Sequence, residues 1–213
     1  MTFALQLAKI SLEIGSIKID SQNPFTWASG YRMPIYNDNR MLLGQAEHRA
    51  LVTEGLKDLI EREGMSVDTV AGVATAGIPH ATSLANLMKT SLIYVRSAPK
   101  EHGLKNQVEG LLKPGQNVVV VEDLISTGGS ALKAIDAVRE AGGVVEHCLG
   151  IFSYGFPEAE QRFQKSQCHL HILLNLQTLL QYAVKENHIS SGEKQALDAW
   201  AHHPFEWGKQ QGF

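Results

Sequence analysis

A chain of 213 residues can bury a sizeable core and suits one α/β domain with an appendage, or a domain plus a small lid. With 19 Lys and Arg against 22 Asp and Glu the formal charge is -3, and no basic block of the kind that grips a polyanion is present, so a nucleic-acid partner is excluded. No segment reaches the ~18 apolar residues of a membrane span, and no membrane partner is expected.

The N-terminus breaks its apolar residues with Gln, Lys and Glu at helical spacing, unlike a signal peptide. Cys148 and Cys168 lack the spacing of a zinc knuckle or redox pair and read as free thiols in a reducing compartment. The expectation is a soluble, cytoplasmic protein.

In chain order, residues 2–15 read as an amphipathic helix ending at Gly15, and residues 17–20 as a short strand. The stretch SQNPFTWASGYRMPIYNDNR is rich in Pro, Gly, Asn and aromatics and predicts a hairpin-like hood carrying exposed functional groups. Helical periodicity runs from Leu43 to Arg62. VDTVAGVATAG predicts a strand and tight turn opening a helix in which Pro79 sits in the first turn. Residues 91–96 form the next strand, 97–110 a long polar loop and 117–122 a buried strand feeding a helix over 130–142. A strand over 144–154, a helix over 157–166, a strand over 168–175 and a helical remainder complete the chain. Near-continuous apolar strands alternating with helices predict a parallel sheet covered on both faces. The chain divides into a helix and hood (1–42), an α/β core (43–185) and a C-terminal helical extension (186–213).

In such a sheet, ligands gather where strands end and helices begin, because free backbone N–H groups and helix dipoles point there. NVVVVEDLISTGGSAL, residues 117–132, fits that place. Gly128 and Gly129 allow close approach of the backbone, and Ser126, Thr127 and Ser130 add hydroxyls, so the turn suits a phosphate monoester. It lacks the lysine of a Walker A loop, and no GxGxxG fingerprint occurs. Glu122 and Asp123 would repel a bare phosphate but accept hydrogen bonds from vicinal ribose hydroxyls and stabilise nearby positive charge. The loop therefore reads as a ribose-5-phosphate cradle.

Arg96, Lys100, His102 and Lys105 place four potential cations within ten residues, interrupted by Pro99, Gly103 and Asn106. Cations on a closing lid would favour departure of a polyanionic leaving group, and His102 could protonate it. A solvated loop is the bland alternative. At Ala74, Thr75, Ala76 and Gly77, spacing alone leaves a packing turn and an anion site equally open. His80, just inside the following helix, reads as structural.

VVVVEDLISTGGS, residues 118–130, resembles the phosphoribosyl pyrophosphate (PRPP) motif of type I phosphoribosyltransferases. That class leaves the acceptor open, since adenine, hypoxanthine and orotate enzymes share the loop. FTWASGYRMPIYNDNR (25–40) resembles the hood signature of the orotate phosphoribosyltransferase family, YVRSAPKEHG (94–103) its mobile catalytic loop, and GVATAGIPHAT (72–82) its pyrophosphate loop. With the four motifs in family order, the chain is identified by resemblance as a member of that family.

The resemblance implies a type I phosphoribosyltransferase fold, a central parallel sheet flanked by helices with a small N-terminal hood. It implies orotate and PRPP as substrates, Mg2+ chelated mainly by PRPP with no metal held by the protein alone, and a homodimer with shared active sites. It places Arg96, Lys100, His102 and the run Glu122, Asp123, Leu124, Ile125, Ser126, Thr127, Gly128, Gly129 and Ser130 at PRPP. Ala74 to Gly77 fall at the pyrophosphate, and Ser126 with the backbone around Tyr36 and Asn37 near the base. Lys100, His102, Glu122 and Asp123 take the catalytic roles. Ala28 and Tyr154 replace a lysine and an arginine of some members, and Ser97 replaces a second loop lysine. Arg32 or backbone amides are then the candidates for meeting the orotate carboxylate.

His169 and His171 alternate on one strand face and His202 and His203 are adjacent, but neither pair has a third ligand at metal-site spacing. Trp200, Phe205 and Trp207 predict a packing or dimer patch.

Overall fold

The valine run 118–121 is buried on both faces of a sheet: Val119 and Val121 enter one core cluster, Val118 and Val120 the other. That alternation is what a strand covered by helices on both sides requires. The computed structural model describes residues 1–27, 29–98 and 107–213. Ala28, Lys100, His102 and Lys105, singled out above, lie outside the described residues.

Five parallel strands build most of the sheet: β5 (Thr69–Val73), β6 (Ser91–Val95), β8 (Asn117–Ile125), β9 (Val144–Ser153) and β10 (His169–Asn175), with β7 (Val108–Glu109) between β6 and β8 in the chain. Their spatial order is β10-β9-β8-β5-β6-β7. The expected all-parallel sheet needs one correction, because β7 runs antiparallel to β6, with Tyr94 opposite Glu109 and Val95 opposite Val108. Residues 108–109 of the predicted polar loop over 97–110 therefore form a strand. Strand β8 also outlasts its valine run, staying paired to β9 as far as Ile125 opposite Ser153.

Helices α1 (Phe3–Glu13), α2 (Ala46–Arg62), α3 (Gly77–Met88) and α6 (Leu176–Lys185) contribute to one core cluster, and α4 (Gly129–Glu140) and α5 (Pro157–Lys165) to the other. Two more helices follow, α7 (Ser191–His202) and α8 (Trp207–Gln210). The Ser190 side chain and Glu193 form a reciprocal capping box that starts α7 after the preceding turn.

The hood is two nested antiparallel pairs, β1 (Ile17–Ile19) with β4 (Ile35–Asn37) and, inside them, β2 (Phe25–Thr26) with β3 (Arg32–Met33). Such short strands need outside packing. The C-terminal segment supplies it. Trp200 is fully buried, its indole N–H 3.2 Å from Met33 Sδ and its ring edge-on to Tyr154 and Phe156. Trp200 is thus intramolecular packing against the hood and its floor.

Candidate active site

Strands β5 and β8 end side by side, and the turns that follow them face the hood across two adjoining cavities. The first, of about 710 Å3, is lined by Ala74, Thr75, Ala76 and Pro79, by Glu122, Asp123, Leu124 and Ser130, and by Asn37, Asp38, Arg40 and Leu43 from the hood end. The second, of about 530 Å3, is lined by Trp27, Ser29, Tyr36, Asn37, Leu124, Ser126, Thr127, Tyr154 and Phe205. Asn37 and Leu124 line both, so the acidic and aromatic spaces meet there.

The turn at Ala74–Gly77 reaches the acids because Gly77 has no side chain. A Cβ there would lie 2.5 Å from the Val121 carbonyl oxygen, so only glycine lets α3 start directly against β8. The Ala74–Thr75 peptide is cis. Beyond the acids, Gly128 adopts φ +78° as the residue preceding α4, and a Cβ there would meet the Phe163 ring at 2.8 Å. Small residues at both turns therefore bring backbone close to the same crevice, as an anion cradle at a helix start requires.

Glu122 is only 6 % exposed, and its carboxyl accepts the Asp123 N–H at 3.0 Å. Burial, reinforced by the hydrogen bond and charge of Asp123, pushes its pKa up to about 9, so it is neutral at pH 7. Asp123 is held from the hood side, where the Asn39 side-chain amide donates to its carbonyl oxygen at 2.6 Å. Next to it, Arg40 grips Asp38 through Nε at 2.6 Å and a second nitrogen at 2.9 Å. That bidentate contact holds Asp38 below the usual carboxylate range and puts a guanidinium on the acidic cavity. Asn39, Asp38 and Arg40 carried no assigned role in the sequence. The signal was present in the polar run NDNR, but its closeness to Asp123, 84 residues away, was not.

Ser126 and Thr127 line the aromatic cavity, and Ser130 the acidic one. The Ile125 side chain is 1 % exposed within the core, and its carbonyl accepts the Tyr154 N–H, so only its backbone lies along this run. Tyr154 sits in the wall of the aromatic cavity, 5.2 Å from the Trp27 ring and stacked on Phe156 at 5.3 Å. Trp27 is fixed by its own indole N–H, which donates to the Ile35 carbonyl at 2.8 Å. Arg32 lines neither cavity: it bonds Thr26 at 3.0 Å and lies 5.8 Å from the Phe213 ring centre.

Arg96 stands at the neck of the cationic loop. Its N–H donates to the Gln107 carbonyl at 3.0 Å, the Gln107 side chain donates back at 2.7 Å, and its guanidinium pairs with Glu109 at 3.6 Å. Arg96 lines neither cavity, and the adjacent Ser97, Ala98 and Gln107 lie against Lys133, Asp136 and Glu140 of α4. Lys100 and His102 are outside the described residues. His80 is 2 % exposed beneath the site, with Nε2 unpartnered, and burial pulls its pKa down to about 4 against the opposing charge of Asp123.

His169 and His171 share their sheet face with His147 of β9, whose Nδ1 lies 3.1 Å from His171 Nε2. Among the described residues no group of three side chains is placed to hold a metal ion, and no helix is long and apolar enough to cross a membrane.

Comparison with known proteins agrees with this architecture at two levels. Residues 41–153, the stretch containing both turns, match the phosphoribosyl transferase domain family. Over 98 % of its length the chain is 43 % identical to the whole orotate phosphoribosyltransferase of Cytophaga hutchinsonii, and 44 % identical to the whole of that from Listeria monocytogenes serotype 4b. The crystal structure of orotate phosphoribosyltransferase from Aeropyrum pernix superposes on 86 % of this chain and 99 % of its own, with a TM-score of 0.75 at 32 % identity. The UMP synthase of Leishmania donovani superposes on 93 % of this chain, which spans 42 % of that longer protein, with a TM-score of 0.78 at 28 % identity. The chain belongs to the orotate phosphoribosyltransferase family.

Proposed function

We propose that the chain transfers the 5-phosphoribosyl group of PRPP to N1 of orotate, with inversion at C1, giving orotidine 5'-monophosphate and pyrophosphate for UMP synthesis in the cytoplasm. The observation that carries this reading is the meeting of the two cavities at Asn37 and Leu124. A planar base in the aromatic cavity, beside Trp27 and Tyr36, would face a ribose lying over Glu122 and Asp123, with the 5-phosphate on the Ser126–Ser130 turn and the pyrophosphate against Ala74–Gly77.

The chain's own groups suit a loose, cation-like ribosyl transition state. Glu122, neutral at pH 7, offers the ribose hydroxyls a donor as well as an acceptor, and ionises more readily as positive charge builds at C1. Asn39 holds Asp123 through its carbonyl, fixing the acid pair before substrate arrives. Mg2+ would come with PRPP, chelated mainly by its phosphates, with the Asp123 carboxylate on the cavity wall as the protein group that could join it, since Asp38 is held by Arg40. Bound with PRPP, it would neutralise the diphosphate. Lys100 and His102 take the leaving group, Lys100 by charge and His102 by protonation. Arg96 lines neither cavity of its own subunit and pairs with Glu109, which suits a homodimer in which this loop serves the neighbouring subunit's site. Closure there would exclude water from a reactive ribosyl cation.

A panel of orotate, uracil, adenine and hypoxanthine, each with PRPP and Mg2+, tests the base assignment. Orotate alone should be consumed; preferential consumption of a purine would refute it.

A further inference from the structure

The aromatic cavity draws its wall almost wholly from the hood and the strand ends, up to Tyr154. Phe205 is the exception among the described residues, arriving from the segment between α7 and α8. Its ring is half-buried, 5.2 Å from Tyr31 of the hood and 6.1 Å from Phe156. Anchors hold the segment on both sides. Five residues earlier, Trp200 is fully buried, its ring 6.3 Å from Trp27 and 5.6 Å from Tyr154. Two residues later, Trp207 is 6 % exposed, and Gly208 lies so close to Arg32 that a Cβ would be 3.0 Å from its carbonyl oxygen. Phe213 stacks on Trp207 and lies beneath the Arg32 guanidinium. Phe205 is therefore presented by a fixed scaffold, with part of its ring left for the cavity.

We propose that Phe205 contacts the pyrimidine ring, making the C-terminal segment the fourth side of the base pocket and a determinant of base affinity. The inference rests on the phosphoribosyl transfer proposed above and deepens it. A planar conjugated ring gains most from flat apolar surfaces, and Trp27, Tyr36 and Phe205, each half-buried, line one space. Phe205 does not line the acidic cavity. Its effect falls on ligands that carry a base and spares those that carry only the ribose phosphate.

Full-length Phe205→Ala, Phe205→Leu and Phe205→Tyr are compared with wild type in steady-state kinetics. Their binding of orotidine 5'-monophosphate and of ribose 5-phosphate is measured by calorimetry. Loss of a base-stacking ring should raise the orotate KM and weaken the nucleotide about tenfold in Phe205→Ala. The PRPP KM and ribose 5-phosphate affinity should stay within twofold, and Phe205→Tyr should restore the base-dependent terms. Should Phe205→Ala fail to fold, the Leu and Tyr variants carry the comparison. Equal weakening of both ligands, or no weakening of either, would overturn the role of Phe205 while wild-type turnover of orotate stands. Absence of wild-type turnover would instead refute the transferase reading beneath it.

Discussion

Replacing Gly77 by alanine tests whether close contact between the β5 turn and β8 shapes the phosphate side of the site. The new Cβ would sit 2.5 Å from the Val121 carbonyl oxygen and 3.5 Å from Glu122 Cα. Ordinary carbon–oxygen contacts begin near 3.3 Å, so about 0.8 Å of separation must be found. Strand β8 cannot supply it, being paired to β5 on one side and β9 on the other. No flexible side chain intervenes, so the turn and the start of α3 must move. Overpacking of this kind costs about 1–3 kcal/mol, and for a chain of this size each kcal/mol lowers the melting temperature by about 2–4 °C. A fall of about 2–12 °C is expected in a thermal melt. A shift approaching 1 Å in a positioning element lowers turnover by as much as ~100-fold, so kcat/KM for PRPP should fall at least tenfold. Gly192→Ala is the control, since its nearest neighbour would be 3.9 Å away. A Gly77→Ala protein with wild-type melting temperature and wild-type PRPP kinetics would refute the packing argument.

Other expectations follow from the same geometry. The Glu122 carboxyl has a folded pKa raised to about 9 by burial, so its stabilising contribution is complete below the unfolded value near 4.5 and is lost as pH rises through about 9. Glu122→Gln should therefore flatten the decline in melting temperature between pH 5 and pH 9; an unchanged slope would count against the buried neutral acid. Trp200→Ala should cost about 3–5 kcal/mol by opening a cavity beneath the hood, read in urea unfolding, and a loss under 1 kcal/mol would show that the C-terminal clamp is dispensable. Lys100→Ala should lower the single-turnover rate far more than PRPP affinity, whereas an unchanged chemical step would remove its role at the leaving group.

Much of the site was legible because its residues are neighbours in sequence. Apolar strand, acid pair and small residues follow one another from Val118 to Ser130, and the structure keeps them in one strand, the turn after it and the start of α4. The valine run also announced a sheet covered on both faces. Features that depend on distant pairing were not legible. Strand β7 is two residues in a polar stretch, and only its register with Tyr94 and Val95 makes it a strand. Asn39 reaches Asp123 across 84 residues, and His147 meets His171 only because β9 and β10 are adjacent. The aromatic C-terminus announced packing, but its target, the underside of the hood, is a tertiary fact. Ile125 looked like part of a binding loop because the motif contains it, yet strand alternation sends its side chain into the core.

The most direct measurement is the stoichiometry of the reaction: orotate, PRPP and Mg2+ with purified protein, followed by loss of orotate absorbance and quantitation of products. One orotidine 5'-monophosphate and one pyrophosphate should appear for each orotate lost, with no free ribose 5-phosphate. Orotate left intact, or PRPP hydrolysed without nucleotide formation, would contradict it.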